Sequence, residues 1–511
     1  MADADNFRTR RAALNFSSGL AYTAVTLVIG FVATPFILRW LGPERYGAAR
    51  ATTDWFGHLG VLELGLGGSL PPLLAAAFGR GDATDLRATM VAGIRAYVAV
   101  TAAMLAAGTF LVLGVTHLVP VAPGLAQDLR TAAVVGLLGV LLMPFAPFRP
   151  LVEAEQRTYV VTVWLLAQGL LTTVCALLLA HAGYGIAGQL AALLAGQVLF
   201  QVALVASGLR RVPGLARAAL RGEPHRDART RIWRLNLPTF AFTTAGRVGL
   251  LTDNVLVALM LGPAAVAPLF LTQRLAALAG GQLLGLGTSS WAALAHLHAA
   301  GRRDDFNARL VDLTRLVGGL GVAALVPIAA FNQHFVNAWV GAASYGGTAV
   351  TVIGALNAYI LALLSLWMWC FTGTGQVRAL VGMSIAGAAV NLTVSVAATH
   401  WLGLVGPLVG TLVGVGTTTL WLVPRAMART FGTPVSALLQ AAAAPLAYGL
   451  PVAAIAFVVA GRHTPPGWIG LGAEMAATAL VLLAIWWRWA LDIAARAAFR
   501  ERVRFALGRR S

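Results

Sequence analysis

The sequence predicts an all-α polytopic membrane protein of fourteen spans, arranged as two parallel six-helix repeats plus two C-terminal helices. Three observations predict it. Hydrophobic residues make up 58% of the 511-residue chain and charged ones only 11%, against about 25% in an ordinary soluble domain. Apolar runs of span length recur from Ser17 to Leu491, and in hydrocarbon a helix satisfies its backbone polar groups within its own segment. A shift of 220 residues superposes the first six runs on the next six.

The first run follows Arg8, Arg10 and Arg11, exceeds the apolar region of a secretory signal and lacks a clear cleavage site, so it reads as an uncleaved span near 17–38. Five more are expected near 46–78, 88–115, 129–148, 158–181 and 184–209. After a polar break the second series runs near 233–261, 265–295, 308–331, 346–371, 376–400 and 401–423, and two further spans fall near 437–460 and 467–491. The expected organisation is a six-helix lobe over 1–209, an arginine-rich connector over 210–232, and a second six-helix lobe over 233–424. Two additional helices follow over 425–491, and a basic tail over 492–511. In the tail, Phe499, Val503 and Phe505 among arginines read as an interfacial amphipathic helix.

All 37 basic residues are arginines, and against 19 acidic ones they give a net charge of +18. The excess reports orientation rather than nucleic-acid binding, because basic residues favour cytoplasmic loops. With both termini inside, the inner segments hold Arg80, Arg87, Arg149, Arg157, the eight arginines from Arg210 to Arg234 and the seven from Arg488 to Arg510, while the outer ones hold few beyond Arg39, Arg45, Arg130 and Arg462. That asymmetry requires an even number of spans. The connector reads as an anchor on anionic headgroups or a docking site for polysaccharide assembly proteins. Cys175 and Cys370 lie in apolar runs without paired spacing and read as inert thiols.

The repeat register places Leu41-Gly42-Pro43 on Leu261-Gly262-Pro263, Leu64-Gly65-Leu66-Gly67 on Leu284-Gly285-Leu286-Gly287, Gly81 on Gly301, Asp85 on Asp305 and Arg95 on Arg315. Six spans separate the copies, so both halves keep one orientation, and two such bundles facing each other predict a cleft at their interface.

The stretch Pro35-Phe36-Ile37-Leu38-Arg39-Trp40-Leu41-Gly42 with Tyr46-Gly47, followed by Glu63-Leu64-Gly65-Leu66-Gly67-Gly68-Ser69, resembles Wzx-type polysaccharide flippases of the multidrug/oligosaccharidyl-lipid/polysaccharide exporter superfamily. Thr252-Asp253-Asn254 leading to Leu261-Gly262 is similar to that family's seventh helix, and the six-plus-six-plus-two plan matches nearly the whole chain. The resemblance implies inside-to-outside flipping of a polyprenyl-pyrophosphate-linked oligosaccharide by alternating access in a bacterial inner membrane, through a cleft formed largely by helices 1, 2, 7 and 8.

Ionisable groups at bilayer depth are the sharpest site evidence, since each costs about 2.5–3.5 kcal/mol by insertion measurements and needs a partner, a wet cavity or an interface. Arg50, Asp54 and His58 follow one another at i,i+4 steps on one face of helix 2, which lets Arg50 pair with Asp54 and makes His58 either a proton-linked switch or a satisfied core histidine. Asp54 maps to Arg274 on helix 8, so equivalent depths carry opposite charges that could meet across the cleft. Helix 7 adds Arg247 and Asp253. Arg247 and Arg274 are the candidate pyrophosphate contacts, guanidinium being suited to bidentate phosphate binding. Asp253 and Glu63 are candidates for H+ or Na+ coupling. Arg95 and Arg315 are candidate gate residues that would pair with Asp85 and Asp305, or snorkel. The competing reading throughout is structural pairing that fixes helix register.

Pro71-Pro72, Pro144, Pro147 and Pro327 predict kinks. Gly406, Gly410 and Gly414 predict a close helix contact. No Walker pattern is present, and outer loops poor in acids argue against a membrane glycan polymerase or ligase, so the chain reads as a non-enzyme without a cofactor. A lipid II flippase and a cation-coupled drug exporter of the same superfamily remain open alternatives.

Overall fold

The computed structural model describes residues 2–63, 65–155, 157–221, 230–232, 240 and 252–490. Arg247 and the tail from 491 onward lie outside them. The described chain is a series of helices joined by short turns: α1 Ala2–Leu59, α2 Leu66–Gly79, α3 Ala83–Leu118, α4 Ala126–Val140, α5 Phe148–Ala154, α6 Thr158–His181, α7 Gly185–Arg211, α8 Leu215–Arg221, α9 Thr252–Leu261, α10 Val266–Ala299, α11 Arg303–Val340, α12 Thr348–Gly373, α13 Arg378–Leu402, α14 Gly406–Gly414, α15 Leu420–Phe431, α16 Val435–Arg462 and α17 Gly467–Ile485. Among the described residues, eleven apolar segments are long enough to cross a bilayer. Two of these, Ser17–Glu63 and Arg378–Phe431, each hold two spans, divided at Gly42 and Gly403. Thirteen of the fourteen expected spans each find a helix, and α9 is the described end of the seventh, most of which lies outside the described residues. The protein is a multi-pass, all-helical membrane protein.

Two compact units divide after Ala267, so α9 and the turn after it group with the first six spans. The repeat predicted from sequence is written into the backbone. Gly42 has φ 75° and ψ 166°, and its partner at the 220-residue shift, Gly262, has φ 90° and ψ 157°. Both lie where side-chain-bearing residues are strained and glycine is not. Gly81 and Gly301 repeat at φ 68° and 70°, and Gly183 and Gly403 at φ 83° and 60°. Each pair is followed by a new helix in the same register. Gly42→Ala and Gly262→Ala are each expected to cost about 1–3 kcal/mol, read as a lowered unfolding temperature in detergent.

The halves differ in their second spans. The span expected over 46–78 is interrupted: α1 ends at Leu59, a 3-10 turn covers Gly60–Glu63, Gly65 adopts the left-handed conformation at φ 77°, and α2 restarts at Leu66. Its counterpart α10 runs unbroken from Val266 to Ala299. Three glycines are shared, Gly280, Gly285 and Gly287 repeating Gly60, Gly65 and Gly67, whereas Gly57 and Gly68 stand where the second half has Ala277 and Thr288. Other differences are Glu63, where the second half has Leu283, and Pro71-Pro72, which α2 carries beyond the break and which lack the N–H groups that Trp291-Ala292 supply.

Proline acts elsewhere as well. The fourth span ends at Val140, and Met143–Phe145 and Phe148–Ala154 are separate short helices around Pro144 and Pro147 rather than one kinked rod. Pro327 is carried inside an unbroken α11. Small residues set the close approaches. A Cβ on Gly410 would lie 2.6 Å from the backbone N of Ser395, and one on Gly414 would lie 2.9 Å from Cα of Asn391, so the glycine stripe of α14 packs directly against α13 as expected. Asp128 closes the N-terminus of α7, accepting from the N–H of Ile186 at 2.7 Å and of Ala187 at 2.9 Å. In the second unit the indole of Trp367 donates to Thr314 at 3.0 Å, and the amide of Asn332 donates to the carbonyl of Thr272 at 2.8 Å, tying α10, α11 and α12 together. Cys175 and Cys370 are free thiols, Cys370 buried.

Candidate functional site

Four of the charged residues singled out by sequence, Arg50, Asp54, His58 and Asp253, lie in the first unit and converge on one place. The expected partner of Asp54 was Arg50; the geometry adds another. The side-chain amide of Asn254, at the start of α9, donates to Oδ2 of Asp54 at 2.8 Å. Arg50 and His58, one helical turn to either side, act electrostatically on the same carboxylate. Asp253 is close enough for the two carboxylates to repel. Nδ1 of His58 lies 2.8 Å from the carbonyl oxygen of Asp54, so this nitrogen donates, and the ring packs at 5.8 Å from Trp55. All five polar residues are half-buried. The seventh span thus meets the second through a charged hydrogen bond, the stronger kind in a low-dielectric setting.

What lets α9 come this close is backbone geometry. Tyr46-Gly47, quoted above for the resemblance, lies against the turn after α9. Gly47 is buried, and a Cβ there would overlap the carbonyl oxygen of Pro263 and stand 2.8 Å from its carbon. The positive-φ Gly262 starts that turn and Pro263 opens its first helical position.

Glu63 forms a second polar centre at the helix break. The hydroxyl of Tyr97 on α3 donates to Glu63 Oε1. The same oxygen bends over the first turn of α2, where a Cβ on Gly67 would sit 2.6 Å from it. A carboxylate at a helix start is stabilised by the exposed N–H groups and the positive end of the dipole. In the second half the equivalent pair is Leu283 and Val317, both buried and apolar. Tyr97→Phe is therefore expected to destabilise the protein by about 1–3 kcal/mol, because a carboxylate loses its donor. Replacing both partners by the second half's pair, Glu63→Leu with Tyr97→Val, should recover most of that loss in the same thermal unfolding measurement.

The remaining sites are more peripheral. Arg274 is half-buried on α10, its guanidinium 5.7 Å from the centre of the Phe270 ring. The sequence reading had Arg95 and Arg315 pairing with Asp85 and Asp305 or snorkelling. Asp85 binds Arg80 at 2.6 Å and also Arg231 of the connector, Asp305 binds Arg302 at 2.7 Å, and exposed Arg315 stands 3.7 Å from Asp312, one turn away. Arg95 is half-buried on α3. No cluster of His, Cys, Asp or Glu with metal-ligand geometry occurs among the described residues.

No family model matches the chain, and no curated protein aligns with it. Solved structures do match. The chain is similar to a structure described as lipid II flippase MurJ in an inward closed conformation, with a TM-score of 0.71 and 12% identity over 92% of this chain and 98% of that one. It is similar to an inward-facing multidrug resistance MATE family transporter of the MOP superfamily, with a TM-score of 0.63 and 15% identity over 81% of this chain and 96% of that one. A third match is a MOP superfamily transporter from Pyrococcus furiosus, with a TM-score of 0.58 and 17% identity over 84% and 96%.

The chain shares the fold of these structures.

Within this fold the residues that sequence reasoning missed are Asn254 and Tyr97. Asn254 carried one signal, an amide next to a carboxylate in an apolar run. Tyr97 carried another, a hydroxyl that the repeat replaces by Val317.

Proposed function

We propose that the protein is a flippase that moves a polyprenyl-pyrophosphate-linked oligosaccharide from the inner to the outer leaflet of a bacterial cytoplasmic membrane by alternating access, with both termini inside. The observation that carries the reading is the likeness to a lipid flippase over 92% of the chain, and the intramembrane charges of the first unit support it. In this reading Arg50 and His58, which flank Asp54 as Asn254 holds it, form the polar face on which the anionic head engages. Arg274 and Arg247 are the cations assigned to the pyrophosphate. Asp253 and Glu63 are the carboxylates assigned to H+ or Na+ coupling, and Arg95 and Arg315 the gate positions. The arginines of the connector and tail fit an inner leaflet of anionic lipid, and polysaccharide assembly proteins are the partners assigned to that surface.

A second reading, transport of lipid II itself, is favoured by the MurJ likeness. Depletion in cells separates the two. In the first, lipid-linked oligosaccharide accumulates on the inner leaflet and surface glycan disappears while growth and wall synthesis continue. In the second, peptidoglycan precursor accumulates and cells lyse. Unchanged glycan and wall with altered drug tolerance would overturn both in favour of a drug exporter.

A further inference from the structure

The chain meets the rest of the first unit at both ends of the seventh span, and the two contacts differ in kind. After α9 the contact is main chain: the carbonyl of Pro263 lies against Gly47, so no side-chain rotation parts them. Just before the span the contact is made by side chains. The Arg231 guanidinium donates to Oδ1 of Asp85, in the first turn of α3, and to Oδ2 at 3.4 Å. Ile232, next in sequence, is 1% exposed and belongs to the core that holds Leu66 and Leu70 of α2 with Ala92 and Tyr97 of α3.

Asp85 keeps a cation when Arg231 leaves. Arg80, from the loop before α3, donates to Oδ2 at 2.6 Å, and the start of α3 favours a negative charge at this position. The Arg231 side chain is already 43% exposed, so it passes to water. Release therefore strands neither charge in a buried place, which is the costly way to break an ion pair. In the second half Asp305 stands where Asp85 does and takes Arg302 from its own loop at 2.7 Å. An own-loop arginine is what the halves share, and Arg231, 146 residues from Asp85, is what the first half adds among the described residues. The burial of Ile232 exceeds what anchoring an arginine requires. Its core also holds Tyr97, whose hydroxyl donates to Glu63 at the break in the second span.

We propose that Arg231 and Ile232 form a latch that holds the inner end of the seventh span on the first unit and opens when Arg231 gives up Asp85 to Arg80. Its inner placement and its part in a transport cycle rest on the flippase reading above. Closed, the ion pair keeps Ile232 seated in the core. Open, Ile232 lifts away and the faces of α2 and α3 at that end are uncovered, while the main-chain contact of Gly47 with Pro263 still ties the other end. The ion pair is exposed and salt-screened, so closed and open forms lie close in free energy, as a two-state element requires.

The test uses the full-length protein carrying Cys175→Ala, Cys370→Ala and Ile232→Cys in inside-out membrane vesicles, and reads the rate at which a membrane-impermeant maleimide labels position 232. Adding Arg231→Ala is expected to raise that rate by about fivefold, whereas Arg80→Ala, which leaves Asp85 to Arg231, should not raise it. With Arg231 in place, going from about 0.02 M to about 0.5 M salt should raise the rate by about threefold, and with Arg231→Ala salt should have no effect. Equal rates with and without Arg231, or a rate indifferent to salt with Arg231 present, would overturn the latch. The salt response stands even where Arg231→Ala fails to fold. A second arm joins Asp85→Cys to Arg231→Cys with a short bifunctional maleimide, Ile232 being retained, in proteoliposomes holding lipid II or a polyprenyl-pyrophosphate-linked oligosaccharide. Flipping is expected to fall to background on joining, and undiminished flipping would overturn the opening step. If the unjoined protein flips neither lipid, the flippase reading fails while the labelling rates still decide the latch.

Discussion

Gly47→Ala is expected to lower the unfolding temperature of the detergent-solubilised protein by roughly 5 °C or more, the largest effect of any single methyl addition in the first unit. The added Cβ would overlap the carbonyl oxygen of Pro263, with its carbonyl carbon at 2.8 Å and Cβ of Val266 at 3.2 Å. Two of those neighbours are backbone, which cannot rotate away as a side-chain tip does. The backbone is itself pinned, on one side by the positive φ of Gly262 and on the other by the short helix that Pro263 opens. Relief therefore requires the second span and the turn after α9 to separate, and overpacking of that kind costs about 1–3 kcal/mol or more. Gly19→Ala is the control. A Cβ there meets nothing within 4 Å, and alanine is the better helix former, so stability should hold or rise slightly. Equal unfolding temperatures for Gly47→Ala and wild type would show that the close approach is absent.

The span architecture was readable because its causes are local and repeated. Hydrocarbon leaves a chain few options, and the apolar runs declared their number. The glycines at 42 and 262, 81 and 301, and 183 and 403 mark turns where only glycine suits the backbone, so the repeat survived in sequence where most apolar positions drifted. The break in the second span was not readable from the three glycines that both halves share, at 60 and 280, 65 and 285, and 67 and 287. It goes with a carboxylate at position 63 that finds a donor 34 residues away, a pairing that only folding reveals. The same limit applies to the charges. Spacing placed Arg50, Asp54 and His58 on one face, because i,i+4 geometry is a property of a single helix. It did not find Asn254, which reaches Asp54 from 200 residues away. Long apolar stretches with uniform side chains carry little information about which helix faces which, so inter-helix partners emerge from packing rather than pattern.

Loss of the Asp54 carboxylate is expected to reduce transport by about tenfold or more without unfolding the protein, and a cycle with Asn254 tells a transport role from a structural one. Asp54→Ala removes a charge near Arg50 and His58 together with the acceptor of Asn254. Asn254→Ala leaves the carboxylate at depth with one donor fewer, a change worth about 1.5–3 kcal/mol for a hydrogen bond to a charged group. The double variant should therefore be less damaged in stability than the sum of the two singles, with a coupling of about 1–2 kcal/mol in thermal unfolding. Transport should behave differently. If the carboxylate orients Arg50 and His58 for the anionic head or binds a coupling ion, Asp54→Asn, which keeps the shape and an acceptor oxygen for Asn254, preserves the unfolding temperature yet loses flipping in proteoliposomes. If Asp54 serves only to bind the seventh span to the second, Asp54→Asn keeps both. The two outcomes diverge because a neutral amide satisfies a hydrogen bond but not an ion, and the proposal for this site stands or falls on which of them is measured.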